Sequence, residues 1–267
     1  MVNGFEIIDA HCHIYPEKIA EKAVKGTDKF YDIVSKFKGT AKELIEQKQF
    51  NGVDKFIVQS VATTPHQVKS INEFVSGEVT KHSDFLIGLG TLHQDSETTE
   101  TDVEHLIELG LKGVKLHPDI QNFKIDEEKY FHIYEILEKK KLPLLLHTGD
   151  YRYDNSNPNR LIPLLETFKD LIVIGAHFGG WSIYETASKQ LNKYDNLFVD
   201  CSSAFYSLEK EQAKNIIYRY GVDKVLFGTD YPMWDAKVEL EYLFSLNLKK
   251  DELEKILSKN VKKLLNI

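Results

Sequence analysis

The feature that most constrains the fold is a series of eight short apolar runs, spaced on average about 31 residues apart. The runs are almost continuously apolar instead of alternating, which is typical of strands buried on both faces. One strand and one crossover helix together take about 30 residues, so the spacing predicts repeated strand–helix units. The predicted strands are Phe5–Ala10, Lys55–Val61, Phe85–Leu92, Gly113–Leu116, Pro143–His147, Ile172–Ala176, Leu197–Asp200 and Val225–Gly228.

The segments between the runs carry helix signals. Thr40 with Glu43, and Thr101 with Glu104, have the spacing of a capping box, in which each residue satisfies a backbone amide of the other. Apolar residues three and four apart predict two further helices, over Asp126–Lys141 and Asp251–Leu265. Strict alternation without a Gly/Ser-rich linker predicts one α/β domain over residues 1–267, and eight units predict a closed (β/α)8 TIM barrel. A doubly wound open sheet is the alternative, but no Gly-x-Gly-x-x-Gly follows the first run.

Composition narrows the classes of function. The net charge is −7 and there is no basic block, so we expect neither nucleic acid nor an anionic membrane as a partner. Only two cysteines, Cys12 and Cys201, argue against a disulfide framework and fit a reducing cytosol. No apolar run approaches the ~18 residues of a membrane span. We therefore expect a cytoplasmic protein with a small-molecule substrate, and leave a homodimer open.

Polar residues gather at the ends of the predicted strands, where a parallel barrel places its active site. His11 and His13 are two apart on one strand, so their side chains face the same way and can chelate one divalent ion. A third imidazole from His147 or His177 and a carboxylate from Asp230 complete a nitrogen-rich set. Five of the ten histidines lie at strand ends: His11, His13, His117, His147 and His177.

The chain resembles the amidohydrolase superfamily in its ordered set of His-x-His, two later strand-end histidines and a final Asp. Within the superfamily it is most similar to the "amidohydrolase 2" group, which includes aminocarboxymuconate semialdehyde decarboxylase. The most specific strings are Ile8-Asp-Ala-His-Cys-His13, Ala176-His-Phe-Gly-Gly180 and Phe227-Gly-Thr-Asp-Tyr-Pro232. The resemblance implies a TIM barrel of the metallo-dependent hydrolase type. It also implies that one divalent metal ion is bound by His11, His13, His147 and Asp230.

The imidazole-rich ligand set favours Zn²⁺, with Mn²⁺ or another divalent ion as the alternative. We expect Asp230 also to accept the proton of a metal-activated water. The resemblance makes His177 a catalytic general acid or base, or a ligand in two-metal relatives. Asp200 is expected to orient a ligand imidazole. The polar segment 18–38 is expected to form a lid.

Lys115 leaves two interpretations open. Two-metal amidohydrolases carry a carboxylated lysine at the end of the fourth strand, whereas relatives in the decarboxylase branch hold one metal. In the one-metal interpretation, which we favour, Lys115 and His117 share a strand face and bind a substrate carboxylate or oxyanion. Arg152, in the loop after His147, is a further candidate for binding a substrate carboxylate, and a merely solvated loop is the alternative.

The leading functional hypothesis is a metal-dependent hydrolase of a small carbonyl compound, such as a lactone or amide, that uses a metal-activated water. The alternative is a nonoxidative decarboxylase, or carboxy-lyase, of a small aromatic or unsaturated acid. A TatD-type nuclease fits less well, because the third predicted strand offers no glutamate ligand and the chain is acidic. A non-catalytic metal-binding barrel is disfavoured because every catalytic-type residue is retained.

Overall fold

The computed structural model describes residues 4–267, in which strands and helices alternate. The strands are β1 (Ile8–His13), β2 (Lys55–Gln59), β3 (Leu86–Gly88), β4 (Gly90–Thr91), β5 (Val114–Leu116), β6 (Leu144–Leu146), β7 (Val173–Gly175), β8 (Leu197–Asp200) and β9 (Val225–Leu226). The α-helices are α1 (Glu17–Tyr31), α2 (Ala41–Asn51), α3 (Val68–Lys81), α4 (Thr99–Glu108), α5 (Pro118–Gln121), α6 (Phe131–Lys140), α7 (Pro158–Thr167), α8 (Tyr184–Leu191), α9 (Lys210–Tyr220), α10 (Ala236–Ser245), α11 (Lys250–Glu254) and α12 (Asn260–Leu265).

The strands form one closed parallel barrel. Pairing runs in chain order through β1, β2 and β3 and through β4 to β9, and every pair is parallel. β3 and β4 are the two halves of the third predicted strand, interrupted at Leu89. The ring closes where the Ala10 N–H donates to the Phe227 carbonyl at 2.8 Å and the Asp230 N–H donates to the His11 carbonyl at 2.8 Å. The predicted (β/α)8 TIM barrel is thus confirmed.

The barrel interior is apolar below the site. Side chains from alternate strand positions fill it, among them Ile8, Ile57 and Leu226, and Val261 and Leu265 of α12 join this cluster. A second, larger cluster packs the outer faces of the strands against the helices. Because apolar side chains occupy the interior, the polar strand ends are the part of the barrel left for chemistry.

Several predicted element boundaries differ from the structure; for example, the helix predicted from Asp126 begins, as α6, at Phe131. The first strand continues to His13, three residues beyond the predicted end, so both histidines of the His-x-His pair lie within β1. The capping box predicted at Thr101 is wrong, because α4 begins at Thr99 and Thr101 lies in its first turn. The carboxylate of Asp102 accepts hydrogen bonds from the hydroxyls of Ser96 (2.6 Å) and Thr98 (3.3 Å), which favours the earlier start. Among residues 4–267, no helix has the length and apolar character needed to cross a bilayer.

Candidate active site

Three of the predicted metal ligands lie together at the carboxyl end of the barrel. The Nε2 atoms of His11 and His13 are 3.2 Å apart, and each lies 3.4 Å from Oδ1 of Asp230. Ligands held tetrahedrally at 2.0–2.1 Å from one ion lie about 3.3 Å from one another. The two nitrogens and one oxygen therefore have the spacing of three ligands of a single divalent ion, which we name the ligand triangle.

Burial prepares these side chains to bind a metal. It lowers the pKa of His11 to about 4 and also lowers that of His13, so both rings are neutral near pH 7. Burial opposes ionisation of Asp230, but the positive charge of a protonated His11 and the hydrogen bond with His13 hold its pKa well below the usual range. Neutral imidazoles and an ionised carboxylate are the forms that bind a metal ion.

Asp200, at the end of β8, fixes the orientation of the His11 ring. Its Oδ2 lies 2.9 Å from Nδ1 of His11, so the Nδ1–H donates to the carboxylate and the Nε2 lone pair points into the ligand triangle. The other carboxylate oxygen accepts the Ser202 hydroxyl at 2.5 Å and the His177 backbone N–H at 3.2 Å. The carboxylate thus connects a ligand to the neighbouring strand end.

His147 and His177 form a pair beside the ligand triangle. Nδ1 of His177 lies 3.0 Å from the Ser202 carbonyl, which only accepts, so this nitrogen carries a hydrogen. Nε2 of a neutral His177 therefore accepts from Nδ1 of His147, at 3.1 Å. That leaves the Nε2 lone pair of His147 free. The structure places His147 next to the three clustered ligands but not among them, and its role as fourth ligand stays a prediction.

Lys115 and His117 project from β5 and the residue after it. Nζ of Lys115 is buried 3.3 Å from Nε2 of His11, and burial lowers its pKa to about 8. Nδ1 of His117 accepts the Ile120 N–H at 3.2 Å, and its ring stacks on His147 at 3.9 Å and 7°. Because the two rings stack in parallel, their in-plane lone pairs lie in parallel planes and do not converge on one position. This geometry disfavours a second ion bound by His117, Asp119 and His147, although the ligand atoms of these residues are close together.

Arg152 lies at the mouth, with its guanidinium already engaged. Nε and Nη2 donate to the buried carboxylate of Asp150 at 2.9 and 2.7 Å, and Nη1 donates to the Phe30 carbonyl at 2.8 Å. Two of its five N–H groups remain for a ligand. Direct binding of a substrate carboxylate by Arg152 stays a prediction.

Sequence reasoning missed two residues of the site. Tyr31, the last residue of α1, places its hydroxyl 2.6 Å from Nε2 of His117, and only the expected lid over 18–38 pointed towards it. Gln59 pairs in register with His13 and is fully buried, yet neither atom of its amide has a hydrogen-bond partner. Because Ile57 faces the barrel interior, Gln59 two residues later faces it as well.

A small cavity opens over these groups. Its floor includes His147, His177 and Asp230. Aromatic side chains form much of its wall: Tyr31, Trp181, Tyr206 and Trp234. Trp234 and Tyr206 stack at 4.6 Å and 11°, which fixes one side of the wall. A closed parallel barrel with a cluster of potential metal ligands at its carboxyl end defines the class of metal-dependent TIM-barrel enzymes.

The family pattern described as amidohydrolase matches residues 8–267, and the chain belongs to this family of enzymes. Among solved structures, it is similar to a TIM-barrel protein of Bordetella bronchiseptica described as uncharacterized, with 20% identity, a TM-score of 0.80, and coverage of 98% of this chain and 99% of that one.

Two similar structures are decarboxylases. A 5-carboxyvanillate decarboxylase of Sphingomonas paucimobilis is 15% identical with a TM-score of 0.77, covering 99% of this chain and all of the other (100%). A dihydroxybenzoic acid decarboxylase of Polaromonas sp. JS666, with bound manganese and the inhibitor 2-nitroresorcinol, is 13% identical with a TM-score of 0.75, covering 98% and 97%. At these identities the similarity shows the fold.

Proposed function

We propose that the protein is a nonoxidative decarboxylase of a small aromatic acid, acting with one divalent ion held by His11, His13, His147 and Asp230. The observation that carries the proposal is an aromatic-walled cavity over the ligand triangle. Flat aromatic walls contact a planar ring favourably, and four aromatic side chains line this cavity. The names of the similar decarboxylases, one with bound manganese, support the same chemistry.

The reaction replaces a C–CO₂⁻ bond by a C–H bond, so that one carboxylate and one proton become one ring carbon–hydrogen bond and one CO₂. The divalent ion would supply positive charge to the substrate's anionic oxygens. Lys115, whose ammonium lies 3.3 Å from the His11 ring, adds charge next to the ligand triangle. His177 supplies the proton. Because Nδ1 is fixed on the Ser202 carbonyl, the proton would pass through Nε2, which would exchange its hydrogen bond with Nδ1 of His147 for one with the substrate.

Asp230 has a different role from the one expected of it in hydrolysis. Its pKa is held well below the usual range, so at neutral pH it is an ionised ligand and a weak base. Ser203 donates to its Oδ2 at 2.7 Å, which fixes the orientation of the carboxylate. In the proposal Asp230 therefore acts as a charged ligand, and the preference for decarboxylation rests on the aromatic cavity and the similar decarboxylases.

A substrate screen tests the proposal. Zn²⁺- and Mn²⁺-loaded protein is incubated with hydroxybenzoates, unsaturated acids, lactones and amides, and CO₂ release and proton release are followed together. We expect CO₂ from at least one aromatic acid, loss of that activity on chelation, and a lower rate in Asp230→Asn, because a neutral amide replaces a charged metal ligand. Tyr151→Phe, at an exposed tyrosine with 74% exposure, is the matched control and keeps full activity. Hydrolysis of a lactone or amide without CO₂ release would contradict the proposal and restore the hydrolase hypothesis.

A further inference from the structure

The last residue of helix α1, Tyr31, brings a hydroxyl group into the cavity. The hydrogen-bond partners of that hydroxyl determine what it can do. Nδ1 of His117 accepts the Ile120 N–H, so the neutral ring carries its hydrogen on Nε2. That Nε2–H donates to the Tyr31 oxygen at 2.6 Å. The phenol therefore uses its oxygen as the acceptor and keeps its own hydrogen for another partner.

The nearest protein acceptor for that hydrogen is Nε2 of His147, at the long distance of 3.5 Å. If His147 turns this lone pair to a metal ion, it no longer accepts from Tyr31. The phenol hydrogen then has only the cavity to point into, since Tyr31 lines it together with His177 and Asp230. Tyr31 is half-buried, and an anionic ligand oxygen in the cavity is a stronger acceptor for its hydrogen than a neutral group.

The position of Tyr31 depends on the loop after β6. The Phe30 carbonyl belongs to the last turn of α1, where carbonyls lack a partner within the helix, and Arg152 donates to it at 2.8 Å. Asp150 is fully buried and holds the same guanidinium through two N–H groups. The guanidinium also lies 5.6 Å from the rings of Tyr31 and Trp181. Arg152 thus ties the end of α1 to a rigid anchor at the barrel mouth.

We propose that Tyr31 recognises the acid by donating its phenolic hydrogen to a carboxylate oxygen, and that Arg152 is the positioning residue that holds Tyr31 over the site. The inference rests on the proposed function, because it assumes an acid in this cavity. In this proposal Arg152 acts by holding Tyr31 in place and does not contact the substrate directly.

Benzoate binding tests the inference without turnover. Both tryptophans of the chain, Trp181 and Trp234, line the cavity, so quenching of tryptophan fluorescence reports binding there. In Zn²⁺-loaded protein, Tyr31→Phe should raise the Kd for benzoate at least about tenfold, the usual effect of losing a hydrogen bond to a charged group. Tyr151→Phe is the control and should stay within about twofold. The neutral analogue benzamide should lose less than about threefold in Tyr31→Phe, because no charge-assisted bond is removed.

A double-mutant cycle separates positioning from general structural damage. Arg152→Gln should weaken benzoate binding about as much as Tyr31→Phe, and the double variant no further, because both changes remove one interaction. Arg152→Lys, which retains a donor for the Phe30 carbonyl, should recover part of the loss. Additive effects in the double variant would show that Arg152 acts on its own and would overturn its positioning role.

Two results overturn the recognition by Tyr31: wild-type protein that does not bind benzoate, and Tyr31→Phe that binds it within twofold of wild type. The proposed function fails separately. If benzoate binds in a Tyr31-dependent way but no acid in the screen releases CO₂, recognition by Tyr31 is retained and decarboxylation is excluded.

Discussion

His13 and His177 lie in one site but are held by different partners. Nε2 of His13 faces Nε2 of His11 and Oδ1 of Asp230, within the ligand triangle. His177 is bonded at both ring nitrogens to Ser202 and His147, outside it. We therefore expect substitution of His13 to impair metal binding and substitution of His177 to impair catalysis.

Replacing each histidine by alanine tests this separation. His13→Ala should purify with far less than one equivalent of divalent metal, because one of the clustered ligands is missing. His177→Ala should retain close to one equivalent while losing at least about 10²-fold in turnover, the usual contribution of a general acid. His132→Ala, at an exposed histidine on α6, is the control for both readouts. Elemental analysis after dialysis gives the result, and metal-free His177→Ala would make His177 a ligand.

At the level of helices, the two predicted capping boxes differ: Thr40 caps its helix and Thr101 does not. The Thr40 hydroxyl accepts the Glu43 N–H at 3.2 Å and so caps α2, although the Glu43 carboxylate bonds the Lys38 N–H and not Thr40. Thr101 is exposed within α4 and caps nothing.

Thr40→Ala should destabilise the protein by about 1 kcal/mol, the usual cost of losing an N-cap hydroxyl. Thr101→Ala should be neutral or slightly stabilising, since alanine has the higher helix propensity. Chemical denaturation at matched conditions measures both changes. Equal losses from the two variants would contradict the assigned start of α4.

The strands and the His-x-His ligands could be predicted because each depends on local rules. Buried parallel strands require continuous apolar runs, and the two-residue period of a strand places His11 and His13 on one face. Tyr31 could not be predicted, because its place over the site depends on how Arg152 and Asp150 hold the end of α1. The hydrogen bond from Arg152 to the Phe30 carbonyl joins residues 122 positions apart in the chain, and no local pattern records it.

The start of α4 and the site geometry around His147 were missed for a related reason. Competing hydroxyls at Ser96 and Thr98 determine where α4 begins, and both have the same local propensities as Thr101. Likewise, sequence order places His147 at a strand end but does not reveal that it stacks on His117. Side-chain orientation within a crowded site depends on tertiary packing.

For the molecule as a whole, the barrel carries buried acid groups that affect its stability. Glu239 of α10 is buried with Oε2 lacking a hydrogen-bond partner, and burial followed by the charge of Asp9 raises its pKa to about 8. The native state therefore binds a proton that the unfolded chain releases above pH about 4.5. The bound proton on Glu239 therefore adds to the free energy of unfolding. This contribution is fully present below pH 4.5 and is lost as the pH rises towards 8.

Glu239→Gln should remove that pH dependence, because glutamine stays neutral. The variant should match wild type near pH 5 and exceed its Tm by a few degrees near pH 8.5. Glu241→Gln, at an exposed position on the same helix, is the control and should change Tm little at either pH. A Tm difference between Glu239→Gln and wild type that is independent of pH would contradict the linkage.

The central claim, that the ligand triangle supports cleavage of a carbon–carbon bond, is tested most directly by following both products of one turnover. An aromatic acid that the screen identifies is prepared with ¹³C in its carboxyl group and incubated with metal-loaded protein in D₂O. We expect one ¹³CO₂ for each product molecule, and one deuterium on the ring carbon that carried the carboxylate. Neither product should form with His11→Ala. A product that retains the ¹³C, or one that forms equally well with His11→Ala, would contradict the account.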